Sequence, residues 1–154
     1  MAGNGADRLL AALGREVGIP ELGLDGAGCC VLSFDEIVVN LEADGQSHRL
    51  FIYADLGEAP DGLPEALYRQ ILEANLLWKE TGGATLSLDG QARRFVVAHG
   101  MPADRISEAD FLTTIERFVD IAESWRQRIA TAGAQAGAAL EPLPSGSIHP
   151  GMLV

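Results

Sequence analysis

The sequence predicts an α+β domain in which the elements follow the order α-β-β-β-α-β-β-α and the strands form a twisted, mainly antiparallel sheet. Two kinds of pattern lead to this prediction. Short apolar segments are joined by tight turns, of which Ala43–Gln46 and Asp89-Gly90 are typical hairpin loops. Three longer segments repeat apolar residues every three or four positions, which is typical of amphipathic helices.

The first predicted helix spans residues 6–17. Asp7 suits its N-terminus, and Gly18-Ile-Pro20 ends it. One side of this short amphipathic helix carries four apolar residues: Leu9, Leu10, Leu13 and Val17.

Three strands follow in close succession, and we place them at Cys29–Phe34, Ile37–Glu42 and His48–Ala54. Successive residues of a strand point to opposite faces of the sheet, and both faces of this meander carry apolar residues. One face must therefore cover the core, while Val38, Phe51 and Tyr53 lie on the opposite face.

The second predicted helix, within Leu63–Gly82, carries two apolar stripes. One stripe contains Leu67, Ile71, Ala74 and Trp78, and the other contains Leu63, Tyr68, Leu72 and Leu76. An ordinary surface helix needs a single apolar stripe. Either this helix is buried on nearly all sides, or its second face contacts another chain. A domain of this size has few layers in which to bury a helix completely, so the pattern favours a subunit interface.

The remaining strands, Ala84–Leu88 and Arg93–His99, form a second hairpin. The last helix begins at Ser107, with Asp110 as its capping partner. Its apolar stripe consists of Phe111, Ile115, Phe118, Ala122, Trp125 and Ile129. We therefore predict a folded domain over residues 1–132, followed by a flexible tail rich in Ala, Gly and Pro over residues 133–154.

The composition is that of a globular protein with a strongly acidic balance. The net charge is -11, from 11 basic and 22 acidic residues, and the basic residues do not cluster, which argues against nucleic-acid binding. The acidity suits basic or neutral partners, or it serves solubility alone. We also expect reduced thiols at Cys29 and Cys30, no signal peptide and no membrane segment, hence a cytoplasmic protein.

The sequence offers little catalytic chemistry. His48, His99 and His149 lie in different elements without neighbours at metal-ligand spacing, and neither cysteine has an evident base. No phosphate-binding loop or dinucleotide fingerprint is present. We therefore predict a non-enzymatic binding protein with no metal and no cofactor, whose useful surface is apolar.

Several motifs resemble those of the Tir-chaperone family, the small acidic class I chaperones of bacterial type III secretion. The resemblance covers about residues 6–130 and includes the order of the elements. The segments that carry it are Leu9-Leu-x-x-Leu-Gly14, Gly18-Ile-Pro-Glu-Leu, Leu32-x-Phe34-Asp35, Leu72-Glu-Ala-Asn75-Leu and Phe118-x-x-x-Ala122-x-x-Trp125-Arg126.

The resemblance implies a homodimer in the bacterial cytoplasm that binds the extended N-terminal chaperone-binding segment of an effector and keeps that effector soluble and competent for secretion. The ATPase of the secretion apparatus is a further candidate partner. The implied dimer interface comprises Leu67, Ile71, Asn75, Trp78 and Leu86. The implied effector-binding residues are Leu9, Leu13, Leu32, Phe34, Val38, Phe51 and Tyr53.

Two other functions remain open at this point. The same fold could serve as a regulatory or structural module that binds a folded partner. Alternatively, an α+β domain of this kind could hold a small molecule or an active site that no motif of the sequence reveals.

Overall fold

The computed structural model describes the backbone of residues 4–140 and the side chains of residues 5–137. The element order of the sequence prediction is confirmed. The helices are α1 (Asn4–Val17), α2 (Glu65–Asn75) and α3 (Glu108–Leu140). The strands are β1 (Cys29–Phe34), β2 (Ile37–Asp44), β3 (Arg49–Glu58), β4 (Thr85–Asp89) and β5 (Arg94–Pro102).

The five strands form one open sheet in the order β1-β2-β3-β5-β4, and every neighbouring pair is antiparallel. Strands β1 and β4 are therefore the two edges. A register shift between Asp55 and Gly57 interrupts the long β3–β5 ladder. The prediction of a mainly antiparallel sheet is thus confirmed.

All three helices contribute to a single hydrophobic core on one face of the sheet, which we call the inner face. Alternate strand residues such as Val39, Ile52 and Val97 point into this core and have no exposed surface. The opposite, outer face is not covered by any helix of the described residues. This one-sided arrangement determines which strand residues remain available to a partner.

Helix α2 is shorter than the sequence pattern predicts. The helix ends at Asn75, and a single 3-10 turn over Leu76–Trp78 follows it, in which Leu77 and Trp78 have φ of 53° and 52°. The predicted continuation to Gly82 is therefore wrong. At the break, the Asn75 side chain is hydrogen-bonded to the backbone of Leu86, and the reversed chain direction leads into β4.

Helix α3 begins as predicted and ends later. The Asp110 N–H donates to Ser107 Oγ at 3.0 Å, and that hydroxyl donates to Asp110 Oδ2 at 2.8 Å, which caps the helix as expected. The helix continues to Leu140, so residues 133–140 of the predicted tail are helical, and Ala136 is buried. The rest of the predicted tail, residues 141–154, lies outside the described residues.

Candidate interaction surfaces

The first candidate surface lies beside α2 and is built from large apolar side chains that the single chain leaves exposed. Leu72 has 72% of its surface exposed and Trp78 has 54%. We call this surface the helix-2 patch, and it comprises Tyr68, Leu72, Leu76, Leu77, Trp78 and Leu88. Leu88 of β4 belongs to it because Leu88 and Tyr68 line the same shallow depression.

The structure places three of the predicted dimer-interface residues in the core of the single chain. Leu67, Ile71 and Leu86 are buried there, so their side chains offer little surface to a second copy. The two stripes of α2 are real, but the stripe that contains the small residue Ala74 packs against the sheet. The surplus stripe is the one with Tyr68 and Leu72, and Trp78 is the single predicted interface residue that lies in the helix-2 patch.

Asn75, the fifth predicted interface residue, uses its side chain within the chain. Its Nδ2 donates to the Leu86 carbonyl at 2.9 Å, and its Oδ1 accepts from the Leu86 N–H at 2.9 Å. Asn75 is half-buried, and both polar atoms of its amide have a partner. The sequence reveals neither this contact nor its partner, because Asn75 and Leu86 are joined only by the irregular segment between α2 and β4.

The second candidate surface is on the outer face of the sheet. Val31 is 60% exposed, and the register places it beside Asn40 of β2, which in turn lies beside Tyr53 of β3. We call this surface the outer-face patch, and it comprises Val31, Val38, Phe51, Tyr53 and Val96. Three predicted effector-binding residues, Val38, Phe51 and Tyr53, therefore lie together as expected.

The other four predicted effector-binding residues lie elsewhere. Leu9 and Leu13 are buried, because the leucines of α1 pack in the core. Leu32 and Phe34 are half-buried and face inward, against the edge of that core. The predicted set is thus split, and α1 contributes no exposed leucine to a client-binding surface.

Phe51 is held in place by two neighbours that sequence reasoning did not identify. Gly100 is opposite Phe51 in the β3–β5 ladder, and a Cβ at position 100 would lie only 2.7 Å from Phe51 Cε1. The Arg49 guanidinium lies 5.8 Å from the centre of the Phe51 ring. The Phe51 ring therefore lies in space that is free because residue 100 is a glycine.

The two sheet edges differ in how many of their backbone groups are free. At β1, the Asp25 N–H donates to the Cys29 carbonyl at 2.8 Å, so the backbone of Cys29 points away from β2. Because strand groups alternate in direction, the N–H and C=O groups of Val31 and Ser33 also point outward. At β4, the equivalent outward groups of Leu86 are both bonded to Asn75.

The described residues contain no group of metal-ligating side chains. Desolvation, followed by the charge of Asp25, raises the pKa of the Cys29 and Cys30 thiols, which disfavours a nucleophilic thiolate. A groove of 590 Å³ between α2 and α3 has no acid, histidine or cysteine in its lining. Among residues 4–140, no helix is long and apolar enough to cross a membrane.

Comparison with known proteins identifies the family. The model of the Tir chaperone protein (CesT) family matches residues 8–126. The chain belongs to the Tir chaperone family. The resemblance seen in the sequence is therefore confirmed, and the match ends within α3, before the last part of that helix. The family is one of type III secretion chaperones, which is a binding function and not a catalytic one.

Relatives and solved structures agree with this assignment. The chain is 30% identical over 122 residues to the transcriptional anti-antiactivator ExsC of Pseudomonas aeruginosa, covering 79% of this chain and 83% of the relative. The crystal structure of the ExsC–ExsE complex has a chain with 28% identity and a TM-score of 0.66, covering 79% and 90%. The structure of the HopA1–SchA chaperone–effector complex gives a TM-score of 0.67 at 20% identity, covering 80% and 94%, and supports the fold.

Proposed function

We propose that this Tir chaperone family member is a cytoplasmic homodimer that binds the extended N-terminal segment of a type III secretion effector. The bound effector would remain soluble and competent for secretion, and the secretion ATPase would be a later partner. The observation that carries the proposal is that one chain leaves two separate apolar surfaces uncovered, the helix-2 patch and the outer-face patch, beside a sheet edge with free backbone groups.

The helix-2 patch supports the homodimer. Burying a large apolar side chain gains roughly 1.5–3 kcal/mol, so a cluster such as Leu72, Leu77 and Trp78 favours association strongly. Monomeric soluble proteins rarely leave a continuous apolar patch of this kind uncovered. A second copy related by a two-fold axis would cover the patch with the same patch of its partner.

The β1 edge and the outer-face patch support an extended client. An extended peptide that pairs with Val31 and Ser33 would use their outward N–H and C=O groups, and its alternate side chains would lie over the outer face. Val31 and Val38 lie on that face next to the edge. Because an unfolded client segment loses entropy on binding, the apolar area of the patch is needed to compensate.

Replacement of Val31 tests the role of the β1 edge. Val31→Pro removes the outward N–H, whereas the matched variant Val31→Ala keeps it and shortens the side chain. The neighbouring reading frame, co-expressed with this chain, supplies the candidate client. We expect Val31→Pro to weaken binding of the client's N-terminal segment about tenfold relative to Val31→Ala, as measured by calorimetry. Equal affinities for the two variants would contradict strand addition at β1.

The broader chaperone function has its own readout. The client's N-terminal segment should co-purify with this chain and should become resistant to proteases only in the complex. If it neither co-purifies nor becomes protected, the proposed client is wrong.

A second candidate function is the binding of a small regulatory protein. It is supported by the 30% identity to a relative named as a transcriptional anti-antiactivator. The same two surfaces, the helix-2 patch and the outer-face patch, would serve this second function. A partner that is folded before binding, judged from its own circular dichroism and NMR spectra, would favour this function over effector storage.

A further inference from the structure

Asn75 distinguishes the two edges of the sheet. Both edges of an open sheet present backbone groups to a passing extended chain. At β4, the Asn75 amide fills the place that the backbone of such a chain would take, because it accepts from the N–H of Leu86 and donates to its C=O. A paired strand would make this same reciprocal pattern of two hydrogen bonds with one residue.

The rest of the β4 edge is also short of free groups. Residues 84, 86 and 88 share the outward direction, because strand groups alternate. The Ala84 N–H donates to the Thr81 carbonyl at 3.0 Å. Because the backbone of Leu86 is bonded to Asn75, only Leu88 of β4 keeps outward backbone groups for a new strand. The β1 edge, in contrast, offers the outward backbone N–H and C=O groups of two alternate residues, Val31 and Ser33.

The geometry points to Asn75 as the specificity-determining residue that confines strand addition to β1. Its amide closes the β4 edge to extended chains, whether a client segment or the β4 edge of another copy. The inference rests on the proposed function only in taking an extended peptide as the ligand of the sheet. The test below needs no client, so failure of the proposed function and failure of this inference are distinguishable.

The break in α2 is what places Asn75 at the edge. A helix that continued past residue 75 would carry the chain away from β4. The turn instead reverses at Leu77 and Trp78, and the Trp78 Nε1–H donates to Thr85 Oγ1 at 3.3 Å. The end of α2 and the turn after it are therefore joined to the start of β4 by three side-chain hydrogen bonds, two of which involve Asn75.

The test is removal of the amide in Asn75→Ala. We expect the backbone amide of Leu86 to exchange with deuterium about tenfold faster than in the wild type. We also expect sedimentation velocity to show larger species that increase with protein concentration, because the opened β4 edges pair with one another. The double variant Asn75→Ala/Ser87→Lys should sediment as the wild type, since a lysine on an edge strand opposes pairing.

Two further variants complete the design. Asn40→Ala is the matched control: its Nδ2 donates to the Tyr53 carbonyl at 3.5 Å on the outer face, away from both edges, so neither readout should change. If Asn75→Ala does not fold, Asn75→Ser replaces it, because a hydroxyl is too short to bridge both groups of Leu86. The inference is overturned if the Leu86 amide keeps its wild-type exchange rate. It is also overturned if that amide is exposed and the variant still sediments as the wild type.

Discussion

At the scale of single residues, His99 gives the chain a dependence on pH. The ring lies against Gly83, where a Cβ would be 2.9 Å from His99 Cε1, and it is half-buried. Desolvation, together with the positive charge of Arg49, lowers the pKa of His99 in the folded chain. The unfolded chain therefore binds a proton at a higher pH than the folded one does, with a pKa of about 6.5.

The consequence is a loss of stability on acidification. The contribution of His99 is fully present above about pH 6.5 and is lost as the pH falls from there toward the folded pKa. We expect the wild type to unfold at lower urea concentration at pH 5 than at pH 7.5, and His99→Gln to reduce that difference. A His99→Gln variant with an unchanged pH dependence would assign the effect to other groups.

Contacts of single residues are predictable from the sequence only where both partners are close in the chain. The capping pair Ser107 and Asp110 is predictable because both partners lie within one helical turn. The sequence predicts Asn75 at an interface but does not reveal its partner Leu86, since that contact depends on the tertiary path between two elements. Leu9 and Leu13 were predicted to bind effector, although an apolar helix side is first needed for the core of a small domain.

At the scale of elements, the break after α2 leads to a prediction about Leu77. A non-glycine residue with positive φ costs about 1–2 kcal/mol, and only glycine adopts that region without strain. Leu77→Gly and Leu77→Ala remove the same exposed side chain and differ in this backbone preference. We expect Leu77→Gly to be the more stable of the two by about 1 kcal/mol in urea unfolding. If Leu77→Ala is more stable by that amount, the segment is helical in solution.

The elements themselves were predictable to the extent that local patterns determine them. Strand β1 was predicted with its observed limits, and the meander and the second hairpin follow from turn residues. The length of α2 was not predictable, because Leu76 and its neighbours continue a helical pattern that tertiary contacts override. The end of α3 was missed for the opposite reason: the composition of residues 133–140 suggested a linker, yet Ala132 and Ala136 continue the buried stripe of the helix.

At the scale of the whole molecule, the surplus of apolar residues in the sequence corresponds to two uncovered surfaces. The helix-2 patch and the β1 edge are at opposite ends of the strand order. A second copy that covers the helix-2 patch would therefore leave β1 free. In such a dimer the two β1 edges and outer faces would be available to one extended client, as the proposed function requires.

A pair of adjacent aspartate substitutions in α2 separates folding from association. Ile71 is buried and Leu72 is exposed, so Ile71→Asp places a carboxylate in the core and Leu72→Asp places it on the helix-2 patch. We expect Ile71→Asp to lose about 3 kcal/mol or more of unfolding free energy. Leu72→Asp should keep its circular dichroism spectrum and should have half the native mass of the wild type, because a charge opposes burial of the patch. Val38→Asp, on the outer-face patch, is the control and should keep the dimer mass. A Leu72→Asp chain with the mass of a dimer would move the subunit interface away from the helix-2 patch.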